Sequence, residues 1–247
     1  MDPSPLVELL LTEPGDYLRN SIRRPAVTCM TCCTPVSPGG WSQCHACSAH
    51  TREYSRGLAD AAGFLIYGIS GAQSGSIMYR YKDTPPVKGP LRTVSLLAIT
   101  GLVIHCVCVE RLLDAEVTHW TTVPSTKGRT GQHPLRQIIS PWMPADEVAV
   151  GCPLPNPPRS VDPTMFTVPV MRAGSHLLVV DDTWASGARA QSLAVAAHRA
   201  GASAVSVLAV ARWFNPSFDQ NHTFMADHFR GKPYDPMQCP WTGGSCP

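Results

Sequence analysis

The chain has 247 residues, which is enough for one large domain or for a domain with a small added module. Its formal net charge is only +2 and charged residues make up 15% of it, so bulk electrostatics give no reason to expect a nucleic-acid-binding protein. Its ten cysteines stand without a recognisable secretory signal, and together these features predict a cytoplasmic protein whose thiols are free or bound to metal.

Two C-x-x-C motifs near the N-terminus predict a metal-binding module over residues 25–52. They are Cys29-Met-Thr-Cys32 and Cys44-His-Ala-Cys47, and a loop rich in proline and glycine separates them. Each motif can place two thiolates on one side of a tight turn, and two such motifs complete a tetrahedral site for Zn²⁺. Because four thiolates leave no open coordination position, the predicted zinc is structural.

Other ligands and other chemistry remain open for the cysteines. Cys33 and His45 lie close enough to replace a ligand, although a spare thiol and a solvated imidazole are the favoured interpretation. A redox C-x-x-C pair is less favoured, because such motifs come singly and open a helix. Cys239 and Cys246 could form a second metal pair or join the first site, but we expect thiols without a ligand. Cys108 falls within an apolar helix and is expected to be a core residue.

After residue 63 the hydrophobic pattern alternates between strands and helices. The predicted strands are 63–69, 117–123, 147–151, 166–170, 177–181 and 204–211, and the predicted helices are 90–113, 135–143 and 188–200. This alternation predicts an α/β fold with a parallel sheet, whose ligands bind beyond the carboxyl ends of the strands. The apolar stretch 94–109 falls short of a membrane span and is interpreted as a buried core helix.

Residues 177–189, LLVVDDTWASGAR, predict a ligand-binding turn. An apolar strand leads to Asp181 and Asp182, and a turn of small residues then leads into a helix. Unpaired backbone N–H groups at a helix N-terminus favour an anion, and small residues let a phosphate approach closely. Two carboxylates can hold sugar hydroxyls or Mg²⁺. The pattern therefore indicates a phosphate beside a diol, and the alternative is an ordinary turn with incidental acids.

The same stretch resembles the phosphoribosyl pyrophosphate (PRPP) signature of type I phosphoribosyltransferases. That signature has four apolar residues, two acids, two apolar residues and a loop rich in Thr, Ser and Gly. Ser186 and Gly187 fit it, whereas Ala185, Ala188 and Arg189 stand where hydroxyl residues are usual. The resemblance implies that the two acids orient the ribose in catalysis, while the loop binds the 5′-phosphate through backbone donors and Arg189.

A zinc ribbon followed by a PRPP-type domain is the arrangement of ComF-type proteins, a branch of these transferases that the chain resembles over about residues 25–212. Residues 77–82 resemble the family's short apolar-Lys segment, and residues 123–135 resemble the turn that binds pyrophosphate. The resemblance implies these contacts to pyrophosphate: Ser125, Thr126, Lys127 and Arg129. A solvated loop of basic residues is the alternative.

The resemblance implies a type I phosphoribosyltransferase-like sheet flanked by helices, with a small four-cysteine zinc ribbon. The expected domains are an N-terminal helical segment (1–24), the zinc ribbon (25–52), the transferase-like domain (58–215) and a C-terminal tail or hood (216–247). Three functions remain open: an active transferase using Mg²⁺-PRPP, a non-catalytic PRPP-binding regulator, and a factor handling single-stranded DNA. No membrane partner is expected, and a homo-oligomer is left open.

Overall fold

Five parallel strands form the centre of the molecule in a computed structural model that describes residues 3–37, 39, 41–125, 132–152 and 159–247. The strands are β1 (Ala61–Ile69), β2 (His119–Thr122), β3 (Asp146–Glu147), β4 (His176–Trp184) and β5 (Ala204–Phe214). Their order across the sheet is β1, β5, β4, β2, β3. Since all pairs are parallel, the five carboxyl ends lie along one edge of the sheet.

Helices cover both faces of this sheet. The α-helices are α1 (Ser4–Thr12), α2 (His45–Glu53), α3 (Gln73–Arg80), α4 (Lys88–Leu113), α5 (Pro134–Ile139), α6 (Ala188–Arg199) and α7 (Asn221–His228). Helices α3, α4 and α5 pack on the face that carries Leu178 and Val180 of β4. Helix α6, the N-terminal cysteines and α7 pack on the opposite face, with Leu177 and Val179. The expected α/β class with a parallel sheet is confirmed.

The central position of β4 and β5 explains their continuous apolar sequences. Each has a partner strand on both sides and packed elements on both faces, so side chains of both parities are buried. Val179 of β4 pairs with Val207 of β5, and both are fully buried. The residues that follow Val180 therefore lie at the carboxyl end of a strand that is paired on both sides.

Helix α4 is the one described helix that is long and apolar enough to cross a membrane. It runs for 26 residues, longer than the predicted apolar stretch. Half of its most apolar segment is buried inside the molecule. Gly101 lies so close to β1 that a Cβ atom there would stand 2.6 Å from Leu65 Cδ2. These contacts favour the expected core helix, whereas the expected compartment stays a prediction.

Strand predictions were less accurate at the edges of the sheet. The predicted strand 166–170 was wrong, because Thr167 makes only an isolated antiparallel bridge with Gly151. Pro169 has no N–H for a ladder, and Val170 is 94% exposed, so this segment has neither the bonds nor the buried face of a strand. The predicted strand 147–151 shortens to β3, whereas the predicted strand 177–181 extends to Trp184.

Candidate functional site

The two C-x-x-C motifs face each other across the N-terminal module. The first lies on a tight turn, in which the Cys29 amide donates a hydrogen bond to the Thr34 carbonyl at 2.7 Å. The second opens α2, with Cys44 at the N-cap and Cys47 in the first turn. All four sulfur atoms lie within 4.8 Å of one another, and the Cys32 and Cys44 sulfurs are 3.6 Å apart. The predicted four-cysteine cluster is confirmed.

This donor set fits zinc. A tetrahedral ion with zinc–sulfur bonds of about 2.3 Å holds its sulfur ligands about 3.8 Å apart, close to the separation seen between Cys32 and Cys44. Neither alternative ligand belongs to the cluster, since Cys33 is buried outside it and the His45 side chain is exposed. The second motif opens a helix, as redox motifs do, but its sulfurs face a second thiol pair. Four converging thiols favour a closed structural site.

The cysteine module is fastened to the sheet by two buried side chains. The Tyr67 hydroxyl of β1 donates to the Cys33 carbonyl at 2.6 Å. Arg212 of β5 donates to the Cys32 carbonyl at 2.8 Å and to the Trp184 carbonyl at 3.1 Å. Hydrogen bonds from the other three thiols, together with the charge of Arg212, hold the pKa of Cys32 well below its usual range. Arg212 thus joins the four-cysteine cluster to the end of β4.

The first candidate acid, Asp182, is largely buried and is held by three donors. They come from the residues that follow α3 and from the start of α5. The Tyr81 hydroxyl donates to Asp182 Oδ2 at 2.8 Å, and the Lys82 ammonium forms an ion pair with the same oxygen. His133 Nε2 lies 3.3 Å from it. Since His133 Nδ1 accepts from the Leu135 amide, Nε2 carries the ring proton and donates to Asp182.

These contacts decide the charge of Asp182. Burial by itself would raise the pKa of this carboxyl group, but the hydrogen bond from His133 and the charge of Lys82 outweigh burial. The pKa therefore lies below its usual range, and Asp182 is an anion at neutral pH. Lys82 and His133 both lie in segments that resemble the family's, but no pattern in the sequence identifies either one as a partner of Asp182.

The second acid, Asp181, is in a different electrostatic state. Its side chain is partly exposed, and its Oδ1 accepts a hydrogen bond from the Asp182 amide at 2.9 Å. Burial, followed by the negative charge of Asp182, raises the pKa of Asp181 to about 7. Lys82 and Arg189 oppose this rise with their positive charges. The acidic pair therefore carries between one and two negative charges at neutral pH.

The loop after β4 consists of small residues. Ala185 and Ser186 are exposed, and Gly187 precedes α6 with a φ of +83°. The Ser186 hydroxyl accepts from the Ala188 amide at 3.3 Å. The exposed Arg189 lies in the first turn of this 12-residue helix. The positive end of the helix dipole therefore faces a loop that contains no bulky side chain.

The side chain of Trp184 lies directly beneath this loop. A Cβ atom at Gly187 would stand 2.7 Å from Trp184 Nε1 and closer still to two ring carbons, so only glycine fits there. The indole is 1% exposed, and its N–H has no hydrogen-bond partner among the described residues. A buried indole N–H ordinarily donates a hydrogen bond to an acceptor. The N–H of Trp184 is therefore available to an acceptor that binds at the loop.

A cleft of about 1280 Å³ opens beside the acids at the carboxyl edge of the sheet. It is lined by Lys82, Asp83, Thr84, Pro86, Thr121, Thr122, Pro124, Ser125, Gln132, His133, Pro134, Arg136, Glu147, Val148, Ala149, Val150 and Gly151. None of residues 181–189 lines it. Lys82 and His133 make the connection, because both line the cleft and both contact Asp182.

The predicted pyrophosphate-binding residues are only partly described. Ser125 follows β2 and lines the cleft, as a residue at the carboxyl edge should. Thr126, Lys127 and Arg129 lie outside the described residues, so their predicted role stays a prediction. Arg136 also lines the cleft, where its guanidinium forms an ion pair with Glu147.

The C-terminal cysteines do not join the first cluster. Cys239 and Cys246 lie instead beside His105 and Cys108 of α4. The expectation that Cys108 is simply a core residue was incomplete, because its buried sulfur faces this second group. No local spacing signals this arrangement, since the helix and the tail are far apart in the sequence.

Comparison of the chain with protein-family models, with curated proteins and with solved structures gave no match. The four-cysteine cluster and the acidic end of β4, with the loop and the cleft beside it, are the features that bear on function.

Proposed function

We propose that this chain is a type I phosphoribosyltransferase-like protein that binds Mg²⁺-PRPP at the carboxyl edge of its sheet. One observation carries the proposal. Two adjacent acids near the end of a central parallel strand are followed by a loop of small residues and the N-terminus of α6. This arrangement offers acceptors for a diol and donors for a phosphate side by side, where parallel sheets bind ligands.

The loop is the proposed site of the 5′-phosphate. Its donors would be backbone N–H groups of residues 185–188, supported by the dipole of α6 and by the Arg189 side chain. Gly187 is required in this loop because the Trp184 ring occupies the space that a Cβ atom would need. A phosphate oxygen near Gly187 would also give the Trp184 indole N–H the acceptor that it lacks among the described residues.

The two acids are the proposed site of the ribose. Carboxylate oxygens accept hydrogen bonds from vicinal hydroxyls, and they also suit Mg²⁺, which prefers oxygen ligands. The described donors to Asp182 all reach Oδ2. Asp181 is the more exposed of the two, and ligand-bound Mg²⁺ would favour its ionised form, because a nearby cation lowers a carboxyl pKa.

The cleft is the proposed site of the pyrophosphate. Lys82, His133 and Ser125 lie on its wall, and the predicted contacts Thr126, Lys127 and Arg129 follow Ser125 in the chain. The ion pair between Lys82 and Asp182 would then link the ribose position to the pyrophosphate position. A single side chain could in this way balance the charge of a carboxylate and of a leaving group.

The proposed reaction is displacement at C1 of the ribose. The bond from C1 to the pyrophosphate oxygen breaks, a bond from C1 to a nitrogen nucleophile forms, and the nitrogen loses a proton. The protein would contribute by positioning the reactants and stabilising the departing charge. Mg²⁺, when bound with PRPP, would neutralise part of the pyrophosphate charge.

A non-catalytic PRPP-binding regulator is the second candidate, and the state of the acidic pair favours it. Asp182 is engaged by three side chains, and the raised pKa of Asp181 keeps part of its population protonated at neutral pH. Both features weaken the acidic site for hydroxyls and Mg²⁺, whereas the loop before α6 keeps its backbone donors for the 5′-phosphate. We therefore expect PRPP to bind and any turnover to be slow or narrow in substrate. Binding of single-stranded DNA stays a prediction from the resemblance.

Calorimetry with Mg²⁺-PRPP and with ribose 5-phosphate tests the binding site. The double variant Asp181→Asn/Asp182→Asn should lose affinity for both ligands, because acceptance of hydroxyls and the countercharge for Mg²⁺ both fall. Asp114→Asn is the matched control. It removes one carboxylate at the end of α4, in the connection to the opposite edge of the sheet, and should bind like the wild type. Unchanged binding in the double variant would reject this site.

A second comparison separates the ribose from the pyrophosphate position. Lys127→Ala should lose about ten- to a hundredfold in affinity for PRPP and little for ribose 5-phosphate, since a charge-assisted hydrogen bond contributes about 1.5–3 kcal/mol. Equal losses would remove Lys127 from pyrophosphate binding and favour the regulator. A screen for pyrophosphate release across nitrogen bases then decides between transferase and regulator.

A further inference from the structure

A second group of cysteine and histidine side chains lies between α4 and the C-terminal segment, separate from the four-cysteine cluster. His105 Nδ1 and the sulfur atoms of Cys108, Cys239 and Cys246 all lie within 4.8 Å of one another. His105 Nδ1 is 3.5 Å from Cys246 Sγ and 3.8 Å from Cys108 Sγ. A tetrahedral zinc ion with bonds of about 2.3 Å to sulfur and about 2.1 Å to nitrogen separates such ligands by about 3.6 Å.

The histidine is held in the form that a metal needs. His105 is 1% exposed, and its Nε2 lies 3.0 Å from the Pro236 carbonyl oxygen. A carbonyl oxygen can only accept, so Nε2 carries the proton and Nδ1 presents its lone pair to the three sulfurs. A histidine that binds a metal through one ring nitrogen usually donates a hydrogen bond from the other nitrogen, often to a backbone carbonyl.

Helix α4 brings the first two donors together. His105 and Cys108 are three residues apart on a helix, which places both on one face. Both side chains are buried at that face, where an imidazole is unusual among apolar neighbours. Burial of a neutral imidazole nitrogen is costly unless it has a partner, and three thiols are its neighbours.

The C-terminal segment brings the other two donors together by a compact turn. The Cys239 amide donates to the Gly244 carbonyl at 2.8 Å, and the Gly243 amide donates to the Cys239 carbonyl at the same distance. Gly243 has a φ of +79°, which glycine tolerates best. The turn is anchored to α4 because the buried Trp241 indole donates to the His105 carbonyl at 2.9 Å. Cys239 and Cys246 therefore meet the helix as a preformed pair.

We propose that His105, Cys108, Cys239 and Cys246 bind a second structural Zn²⁺ ion that fastens the C-terminal segment to α4. Three thiolates and one imidazole are a closed zinc set with no open coordination position. The ion would join residues that the chain separates by up to 141 positions. It would replace weak hydrogen bonds between thiols and imidazole by metal–ligand bonds, and so hold α4 against the segment that covers it.

The test counts zinc in the full-length protein, purified from a reducing cytoplasm without added metal. We expect two zinc ions per chain, one for each group of ligands. Cys44→Ser should keep the second ion, and Cys239→Ser/Cys246→Ser should keep the first. Cys106→Ser is the matched control. It changes a thiol on α4 that lies outside the cluster, and it should keep both ions.

X-ray absorption of the wild-type protein checks the ligands without any substitution that could impair folding. Four thiolates at one site, with three thiolates and one imidazole at the other, predict seven sulfur ligands and one nitrogen ligand for two ions. Limited proteolysis gives a further check, since loss of the second ion should expose the segment around Cys239 to cleavage and leave residues 25–52 protected.

Three outcomes would overturn the proposal. One is a wild-type protein with a single zinc ion that disappears entirely in Cys44→Ser. Another is a double variant that keeps two ions. The third is a Cys239–Cys246 disulfide, found by mass spectrometry in protein kept under reducing conditions. A single wild-type ion that survives Cys44→Ser would support the second site and reject the first.

Discussion

Replacing Gly187 by alanine should destabilise the fold and disturb the loop after β4. The new Cβ atom would stand 2.7 Å from Trp184 Nε1 and overlap the ring. The ring cannot move away easily, because it is buried and packs edge-on against Phe64 with centroids 5.4 Å apart. The backbone also has a φ of +83°, a conformation that alanine adopts at a cost.

The magnitude follows from these two effects. A left-handed conformation costs a residue with a Cβ atom about 1–2 kcal/mol, and overpacking of a closed core costs about 1–3 kcal/mol, so the loss is about 2–5 kcal/mol. Gly174→Ala isolates the first effect, since Gly174 has a φ of +86° and a Cβ atom there would meet no other atom within 4 Å. Gly89→Ala in α4 has neither effect. Because Pro90 disfavours the α conformation of a residue before it that has a Cβ atom, the usual gain of a Gly→Ala change is offset, and the free energy of unfolding should change by less than about 1 kcal/mol.

Urea unfolding of the three variants and the wild type measures these differences. The expected order of destabilisation is Gly187→Ala, then Gly174→Ala, then Gly89→Ala. Calorimetry on the same proteins should show weaker binding of Mg²⁺-PRPP only for Gly187→Ala, because that loop is the proposed phosphate site. If Gly187→Ala and Gly174→Ala lose the same free energy of unfolding, the close approach to the indole contributes nothing and the reasoning fails.

Three further predictions concern the four-cysteine cluster and the charged groups. Cys44→Ser should lose the N-terminal zinc ion by elemental analysis and make residues 25–52 sensitive to protease, and an ordered module without metal would contradict this. Arg212→Met should destabilise the protein by about 3 kcal/mol or more in urea, because buried carbonyl groups lose a charged donor, and a loss below about 1 kcal/mol would mean that water replaces it. The pKa of Asp181, raised to about 7, means that the folded state holds this proton more tightly than the unfolded chain does. The resulting stability is complete below about pH 4 and falls as the pH rises through about 7. Unfolding measured across this range should show a decline in the wild type that Asp181→Asn lacks, and parallel profiles would refute the raised pKa.

The sequence by itself predicted the features that depend on short spacings. A C-x-x-C motif places two thiols on one turn, and the alternation of apolar strands with helices requires parallel pairing. The four-cysteine cluster and the parallel sheet were therefore predicted correctly. Asp181 and Asp182 were placed near the end of β4 for the same reason, because a strand, a turn and a helix start are read from neighbouring residues.

Edge elements were harder to predict than central ones. The residues around Thr167 are β-branched and apolar like those of a strand, yet they form only a bridge. Whether such a segment joins a sheet depends on whether a partner edge and a covering layer are present. Those are properties of the folded molecule and not of the segment.

Only the tertiary structure decided which distant side chains meet. Tyr81 reaches Asp182 across 101 positions, and Cys246 reaches His105 across 141. No sequence periodicity predicts these pairings. They depend on how α3 and α4 pack on the sheet and on where the C-terminal turn lies against them. Packing is collective, so the charge of Asp182 and the second group of metal-type ligands emerge when the whole chain is folded. The short-range motifs depend on the local geometry of the backbone, so the spacing of residues along the sequence predicts them directly.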